Sequence, residues 1–377
     1  MDTNQYVQYY RTKRHPSMFL VILITAFLSM SASVGGLLVF FHFFPEYLSY
    51  NVTNVNKSEK EVTVTDEGIA DAVEKVYDSV VIVKTYQRNK LYATGTGFVY
   101  KYSGGKYYLI TNYHVIDNGD KIGIVFTNGD EVTVSVENGD KYADIAVLSF
   151  KSNQEYPVAL MGNSADMRVG DTVFAIGAPL DSSVYSWSVT RGTLSGKNRE
   201  VEVSTNNTQS SDWIMQVLQT DAAINHGNSG GPLCNSNGEV IGVTNMKLVT
   251  DGVEGMGFAI PIEEASRYAE AIISGEDMTR PVIGISMLDA GNTMYAREYR
   301  IEARAGVIIA EITPGGPSAT SGLNVGDVII SINDIDVTGV ASLRYQLYKY
   351  KVGDTVTIKY IRDGKTQTTK VTLGSNK

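Results

Sequence analysis

The stretch "AAINHGNSGGPL", from Ala222 to Leu233, surrounds one serine, Ser229, with three glycines, a proline and a histidine. Glycine and serine most often serve only to turn the chain, so the string alone does not mark Ser229 as reactive. A serine hydroxyl becomes a nucleophile when a base accepts its proton and a third group orients that base. The rest of the sequence must therefore supply a histidine and a carboxylate.

The search for a histidine is short because the chain contains only four. His15 lies just before the apolar N-terminal run and His42 lies at its end, while His226 lies in the serine loop itself. His114 remains, in "LITNYHVID", at the end of an apolar β-rich run. Asp144 opens another apolar strand in "YADIAVLSF". His, Asp, Ser is one of the known orders of a catalytic triad along a chain.

Composition limits the classes of function. The chain has 377 residues, and a single core seldom grows beyond about 250 to 300 residues, so we expect more than one domain. The formal net charge is -9 and no long Lys/Arg block occurs in the body of the chain, which argues against nucleic acid as a partner. The single cysteine, Cys234, excludes an intrachain disulfide and a cysteine zinc site. We expect no metal and no cofactor.

The N-terminus differs from the rest of the chain. From Met18 to Phe41 no charged residue occurs, and these 24 residues (41 − 18 + 1) would form a helix about 36 Å long, enough to cross a hydrocarbon layer of about 30 Å. We therefore predict a transmembrane helix over 18–44. Three Lys or Arg residues lie in the preceding segment 1–17, so the positive-inside rule places that segment in the cytoplasm and everything after Pro45 outside it. A cleavable signal peptide is the alternative, because "SMSAS" offers small residues after an apolar run.

Three further segments are expected after this helix. In 45–67 the stretch "NVTNVNKSEKEVTVTDE" lacks large apolar residues apart from valine, which predicts a tether of low order. Residues 68–275 contain many short β-rich runs with Asn-Gly turns between them, as in a closed or stacked all-β domain. Residues 280–374 hold further strands and the helical stretch "SLRYQLYKY", and their number suits a second, small domain.

Seven ordered motifs carry a resemblance to a known family. They are "TGTGFVY", "LITNYHVI", "ADIAVLSF", "GDTVFAIGAPL", "SVTRGTLSG", "LQTDAAINHGNSGGPL" and "GMGFAIPI". In this order they resemble the HtrA/Deg branch of the trypsin-like serine proteases, from about Gly68 to Gly275. The later stretches "PVIGISM" and "GVIIAEITPGGPSATSGLNVGDVIISIND" resemble a single PDZ domain. The fold class implied is mainly β, with a trypsin-like double six-stranded β-barrel followed by one PDZ domain.

The resemblance assigns roles to residues that match the family motifs. His114 would be the general base and acid, Asp144 would hold its tautomer, and Ser229 would attack the peptide carbonyl. The oxyanion hole would be formed by backbone N–H groups at Gly227 and Ser229, with Asn228 between them. Such donors are worth roughly 3 to 4 kcal/mol each in similar sites.

The specificity pocket is also implied by the resemblance. Trypsin-like enzymes that cut after Lys or Arg carry an Asp six residues before the nucleophile, and this chain has Ala223 there (229 − 6 = 223). The expected lining is apolar and comprises Ala223, Ile224, Gly257, Phe258 and Ala259. We therefore expect cleavage after small or medium aliphatic residues.

Two further positions call for an interpretation. Many family members have proline or another residue where this chain has His226, which we interpret as a loop residue able to make loop opening sensitive to pH. In the PDZ-like segment, the loop "VIGI" would capture the carboxylate of a peptide C-terminus while the peptide adds as a strand. Its residues are Val282, Ile283, Gly284 and Ile285.

The sequence therefore predicts a membrane-anchored serine endopeptidase outside the cytoplasm that acts in protein quality control and the stress response. Expected partners are unfolded or misfolded protein substrates, peptide C-termini at the PDZ domain, the membrane, and further copies of the chain in a homotrimer. Two alternatives remain open. One is a PDZ adaptor or chaperone scaffold with little proteolysis, and the other is a regulatory protease of narrow specificity.

Overall fold

The computed structural model describes residues 17–44, 66–178, 187–205, 211–246, 255–276, 279–299 and 305–375. Helix α1 (Met18–Phe43) belongs to an N-terminal unit of its own. Its stretch Met18–Phe40 has a mean hydropathy of 2.1 and is long and apolar enough to cross a membrane, by length and composition. The predicted segments 1–17 and 45–67 lie outside the described residues, apart from Ser17 and the last two positions of the tether.

The second unit contains helix α2 (Asp66–Tyr77) and then a closed six-stranded barrel. The barrel's elements are β1 (Val80–Gln87), β2 (Lys90–Ser103), β3 (Lys106–Thr111), the one-turn helix α3 (Tyr113–Ile116), β4 (Lys121–Phe126), β5 (Glu131–Asp140) and β6 (Ile145–Phe150). The strands close in the antiparallel order β1-β2-β3-β6-β5-β4.

A second closed six-stranded barrel follows. Its strands are β7 (Thr172–Gly177), β8 (Ser188–Val203), β9 (Trp213–Thr220), β10 (Pro232–Asn235), β11 (Val240–Thr244) and β12 (Gly257–Pro261). They close in the order β10-β11-β12-β9-β8-β7. Helix α4 (Ile262–Ser274) continues directly from β12 and packs its apolar side against β11 and β6.

The cores follow from the alternation of apolar side chains along the strands. In β4 the sequence "KIGIVF" alternates between the barrel interior and its outside, so its three large apolar residues face inward: Ile122, Ile124 and Phe126. A separate cluster joins the two barrels to α2 and α4 and includes Phe98 and Phe174, both fully buried. Burial of each such side chain stabilises the fold by about 1.5–3 kcal/mol.

The C-terminal domain is a small sheet with two helices. Its elements are β13 (Pro281–Val282), β14 (Ile285–Asp289), α5 (Thr293–Glu298), β15 (Val307–Ile312), β16 (Val328–Ile332), β17 (Ile335–Asp336), α6 (Val340–Leu347), β18 (Thr355–Arg362), β19 (Lys365–Thr372) and β20 (Gly374–Ser375). The main sheet has the order β14-β15-β16-β18-β19, so β14 is an edge strand. The predicted mainly β fold class is confirmed.

Helix α6 connects the C-terminal domain to the second barrel, because it packs against β9 as well as near β14. Arg344 Nη1 donates to the main-chain oxygen and to Oδ2 of Asp212, each at 3.0 Å. The Tyr345 hydroxyl donates to Glu200 Oε1 at 3.0 Å and accepts from Gln216 at 2.6 Å. Burial, reinforced by the Glu200 carboxylate, raises the pKa of Tyr345 to about 12, so this hydroxyl stays protonated at neutral pH.

A second link, an almost buried ion pair, joins the C-terminal domain to the first barrel. Arg280 pairs with Asp140 at the end of β5, with side-chain exposures of 14% and 5%. The guanidinium also lies 4.7 Å from the ring centre of Tyr142 and 5.3 Å from that of Tyr348. The pair is therefore enclosed by aromatic rings from both domains.

We predict that Arg280→Met lowers the free energy of unfolding by about 3–5 kcal/mol, because the buried Asp140 carboxylate loses its cation. Lys101→Met is the matched control, since Lys101 pairs with Glu270 at the surface with exposures of 39% and 47%. Its loss should cost less than about 1 kcal/mol. Chemical denaturation followed by fluorescence measures both changes, and equal effects would contradict the structural importance of the Arg280 pair.

Candidate active site

His114 and Asp144 lie at the same edge of the first barrel. His114 is in α3, directly after β3, and Asp144 directly precedes β6. Since β3 pairs with β6 and Thr111 lies opposite Ala146, the residues that follow β3 and precede β6 are neighbours. The two ends are also joined by a main-chain hydrogen bond, in which the Tyr113 N–H donates to Asp144 O at 3.2 Å.

The two side chains form a hydrogen-bonded pair. Asp144 Oδ2 lies 2.6 Å from His114 Nδ1, and Asp144 Oδ1 accepts the His114 backbone N–H at 2.9 Å. The Asp144 side chain is only 4% exposed, whereas that of His114 is 29% exposed. A carboxylate that accepts the proton of Nδ1 leaves Nε2 as the proton acceptor of a neutral imidazole. The pair therefore presents a basic nitrogen at the rim of the barrel.

The backbone of Asp144 has an unusual conformation that its neighbours hold in place. Its φ is +52°, in the left-handed region that aspartate tolerates better than most residues. The Asn112 amide, which is fully buried, donates to the main-chain oxygen of Asp144 at 2.8 Å. This bond and the one from the Tyr113 N–H fix the backbone of Asp144, from which its carboxylate extends toward His114.

Ser229 reaches this edge from the second barrel, in the loop between β9 and β10. Its main-chain oxygen accepts the N–H of Thr96 in β2 at 2.9 Å, which joins the loop to the first barrel. Directly after β11, Asn245 donates to Asp144 Oδ2 at 2.7 Å and the next residue, Met246, donates its N–H to Ser229 Oγ at 3.0 Å. Two consecutive residues therefore contact Asp144 and Ser229.

Among the described residues, Ser229 Oγ makes its hydrogen bond with the Met246 N–H and makes none with the ring of His114. The serine side chain is 5% exposed as a residue. Catalytic hydrogen bonds are often long or poorly aligned before a substrate is bound.

The backbone of the serine loop leaves two donors for an oxyanion. Gly227 has φ +100°, and its carbonyl accepts the hydroxyl of Thr96 at 2.6 Å. Within the described part of the chain, the N–H groups of Gly227 and Ser229 donate to no protein acceptor. The N–H of Asn228, which lies between them, donates to Asn225 O at 3.0 Å and is therefore used within the loop.

The first barrel leaves no space for a side chain at position 230, so this residue must be glycine. Its φ is +87°, and a Cβ at this position would lie 2.2 Å from Thr96 O and 2.4 Å from Thr111 Oγ1. The loop after the serine therefore packs directly on the strands β2 and β3.

The residues predicted for the specificity pocket separate into two groups. Ala223 is exposed, and Gly257 packs against Ile224, since a Cβ at Gly257 would lie 2.6 Å from Ile224 Cγ1. Phe258 instead belongs to the cluster between the barrels and is 8% exposed, and Ala259 is fully buried inside the second barrel. Phe258 and Ala259 thus face two different cores of the protein, because successive residues of β12 point to opposite sides of the strand.

In the C-terminal domain the predicted loop connects two strands. Val282 ends β13, Ile283 is buried in the domain core, and Ile285 begins the edge strand β14. Gly284 has φ +72° and lies against Pro317, whose Cδ would be 2.7 Å from a Cβ. The carbonyls of the loop point into the domain, where Ile283 O accepts the Ser318 N–H and Gly284 O accepts the Thr313 N–H, each at 3.0 Å.

Few other titratable groups lie near this site among the described residues. No group of three or more His, Cys, Asp or Glu side chains that could hold a metal occurs among the described residues. His226 is exposed in the serine loop. Asp221, the acid nearest to the predicted pocket in sequence, accepts hydrogen bonds from the backbone and hydroxyl of Thr193.

The sequence did not indicate Asn245. Its side chain is fully buried and its partner Asp144 lies 101 positions away. A single asparagine after an apolar strand has no local signal that distinguishes it from an ordinary turn residue. The closed pairing of the barrels is what brings it to the carboxylate.

Comparison with known proteins identifies the family. Residues 95–243 match the trypsin-like peptidase domain and residues 281–373 match the PDZ domain. The chain is 34% identical to a Do-like serine protease HtrA of Lactococcus lactis subsp. cremoris, over 86% of this chain and 87% of that protein. It is 39% identical to the Do-like HtrA of Bacillus subtilis, over 74% of this chain and 63% of that protein.

Solved structures agree with this likeness. The serine endoprotease from Yersinia pestis has a TM-score of 0.60 and 27% identity, over 82% of this chain and 98% of that one. The HtrA-type protease AlgW with a decapeptide has a TM-score of 0.61 and 26% identity, over 82% of this chain and 99% of that one. The chain belongs to the HtrA/Deg family of serine proteases with a single PDZ domain, and it is a serine endopeptidase.

We predict that Gly230→Ala lowers proteolysis of unfolded casein roughly a hundredfold or more, because displacement of the loop moves Ser229 away from the imidazole. Gly129→Ala is the matched control. Gly129 has a similar φ of +90° in the β4–β5 turn, with open space where a Cβ would lie. The control carries the same kind of backbone strain and should keep its activity, so equal activities of the two variants would contradict the close packing described for Gly230.

Proposed function

We propose that His114, Asp144 and Ser229 are the catalytic triad of this endopeptidase. The observation that carries the proposal is the contact of 2.6 Å between His114 Nδ1 and the buried Asp144 carboxylate, beside a serine held by the opposite barrel. Few structural roles require a partly exposed imidazole on a buried carboxylate next to a serine in a glycine-rich loop.

The proposed reaction uses these groups in turn. Ser229 Oγ attacks the peptide carbonyl while His114 Nε2 takes its proton, and the imidazolium then protonates the leaving amine. Asp144 stabilises the imidazolium and stays ionised. The N–H groups of Gly227 and Ser229 bind the oxyanion, and water hydrolyses the acyl-enzyme by the same steps with His114 again as the base.

The alanine at position 223 and the apolar cluster that contains Ile224 support cleavage after small or medium aliphatic residues. Among the described residues no acid is free at this position to pair with a basic side chain, since Asp221 is engaged by Thr193. A lysine or arginine side chain would therefore be buried without a partner. Cleavage of many different proteins after such residues would support a quality-control protease. Cleavage of only one or two proteins would support the narrow regulatory alternative.

We propose that peptide C-termini bind along β14 and regulate proteolysis. The support is that β14 is an edge strand, and that the neighbouring helix α6 also holds the second barrel through Arg344 and Tyr345. A peptide that adds to an edge strand gains main-chain hydrogen bonds and presses against the neighbouring helix. A peptide at β14 would thus act on the contact between the domains.

The first test uses the full chain in detergent with unfolded casein, with and without peptides that end in a free hydrophobic C-terminus. We expect cleavage that Ser229→Ala abolishes and that the peptides stimulate, in a particle with the mass of a trimer by light scattering. A folded wild-type chain that cleaves nothing, yet suppresses aggregation as well as Ser229→Ala does, would favour the scaffold alternative.

We also propose that α1 anchors the enzyme in the membrane, with the N-terminus in the cytoplasm and both domains outside. The apolar stretch Met18–Phe40 supports this. After extraction with alkaline carbonate, the full chain should stay with the membranes and a chain that begins at Asp66 should be soluble. A shortened, soluble product from the full-length gene would instead show removal of a signal peptide.

A further inference from the structure

Thr96 in β2 of the first barrel is fully buried, and both of its donor groups go to the serine loop of the second barrel. Its hydroxyl donates to Gly227 O at 2.6 Å, and its N–H donates to Ser229 O at 2.9 Å. Gly227 and Ser229 are also the two residues whose N–H groups are proposed to bind the oxyanion. One residue of the first barrel therefore holds both residues that carry these donors.

Thr96 is in turn tied to the strand that leads to His114. The Thr111 hydroxyl, at the end of β3, donates to Thr96 O at 2.7 Å. The β-branched side chain of threonine has few allowed rotamers, and burial restricts it further. The nitrogen and Oγ1 of Thr96 are joined through its Cα and Cβ, so the separation of the two carbonyls that they hold is nearly fixed. The serine loop is thereby set against the strand that precedes the base.

The neighbours of the Thr96 hydroxyl decide where its proton points. Ala178, directly after β7, donates its N–H to Thr96 Oγ1 at 3.1 Å. A hydroxyl has one proton to donate, and here Gly227 O is the acceptor. Among the described residues, Gly227 O has no other donor. Loss of the hydroxyl would leave this carbonyl without a donor and the Ala178 N–H without its acceptor.

We propose that Thr96 is a positioning residue for proteolysis, whose hydroxyl holds Gly227 so that the N–H groups of Gly227 and Ser229 meet at one oxyanion position. The proposal rests on the proposed function of these two N–H groups. Gly227 has φ +100° and no side chain, so its own backbone resists rotation only weakly. The bond from Thr96 supplies the missing restraint, and it involves neither His114 nor Asp144.

Thr244 provides a matched control. It ends β11, it is fully buried, and its hydroxyl donates to Asn228 O in the same loop at 2.6 Å. Asn228 O also accepts the Gly231 N–H at 2.9 Å. The longer bond from the Thr244 hydroxyl to Gly231 O, at 3.1 Å, is likewise duplicated by the Thr244 N–H at 2.8 Å. Removing either hydroxyl takes a buried donor from the loop, but only its loss at Thr96 leaves a loop carbonyl with none.

The experiment compares the wild-type chain with Thr96→Val, Thr96→Ser and Thr244→Val, all as full chains in detergent. Initial rates of cleavage over a range of unfolded casein concentrations give kcat and KM, and thermal unfolding is measured in the same buffer. For Thr96→Val we expect kcat to fall roughly ten- to a hundredfold with little change in KM, because oxyanion donors act mainly in the transition state. The acid limb of kcat should stay at its wild-type pH, since the substitution removes no charge.

The other variants separate positioning from packing. Thr96→Ser keeps the hydroxyl and loses only the methyl group that lies beside Gly231, so it should keep most of the wild-type kcat. Thr244→Val should melt at a lower temperature and also keep most of the wild-type kcat. If Thr96→Val cannot be obtained folded, Thr96→Ala takes its place, because it differs from Thr96→Ser by the hydroxyl alone.

Three results would overturn the inference. They are an unchanged kcat in a folded chain without the Thr96 hydroxyl, an equally low kcat in Thr96→Ser, and an equal loss of kcat in Thr244→Val. Failure of the proposed triad is distinguishable, because Ser229→Ala would then cleave casein as fast as the wild-type chain.

Discussion

The carboxylate of Asp144 is the group on which the candidate site depends. It is taken out of water at the edge of the first barrel and accepts hydrogen bonds from His114 and Asn245. Its main chain is held in a left-handed conformation by bonds from Asn112 and Tyr113. Burying such a charge is costly unless its lone pairs are occupied, so the surrounding donors are a condition for the pair with His114.

Two barrels are needed to satisfy that condition. The first barrel supplies His114 and Asp144 from paired strands, and the second supplies Ser229 and Asn245 from loops that cross to the first. Thr96 of the first barrel holds the serine loop at two points, because its N–H donates to Ser229 O and its hydroxyl donates to Gly227 O. Any shift between the barrels would thus move Ser229 and the Gly227 N–H relative to His114. The PDZ domain contacts the second barrel through α6 and the first barrel through the Arg280–Asp140 pair, so it is connected to both sides of this junction.

The sequence predicted the parts that leave a local pattern. Apolar runs with Asn-Gly turns indicated the barrels, and the motifs around His114, Asp144 and Ser229 indicated the family and its chemistry. The sequence could not predict contacts made by closure of the barrels. Asn245 meets Asp144 only because β11 and β6 belong to neighbouring barrels. Thr96 and Thr111, which are distant along the chain, leave no space for a side chain at Gly230. The orientation of Phe258 and Ala259 depends on which face of β12 meets a core, and the N–H of Asn228 is used by a turn of the loop itself.

The most direct measurement of the proposed triad is covalent labelling of the full chain with a serine-reactive fluorophosphonate, followed by mass spectrometry of the peptides. Such a reagent reacts with a serine whose hydroxyl is activated by a base and leaves ordinary serines unmodified. We expect one adduct on Ser229, absent in Ser229→Ala and strongly reduced in Asp144→Asn, which would turn the imidazole to the wrong tautomer. Labelling of Ser229 at the same rate in Asp144→Asn, in a chain that remains folded, would contradict the central role of the buried carboxylate.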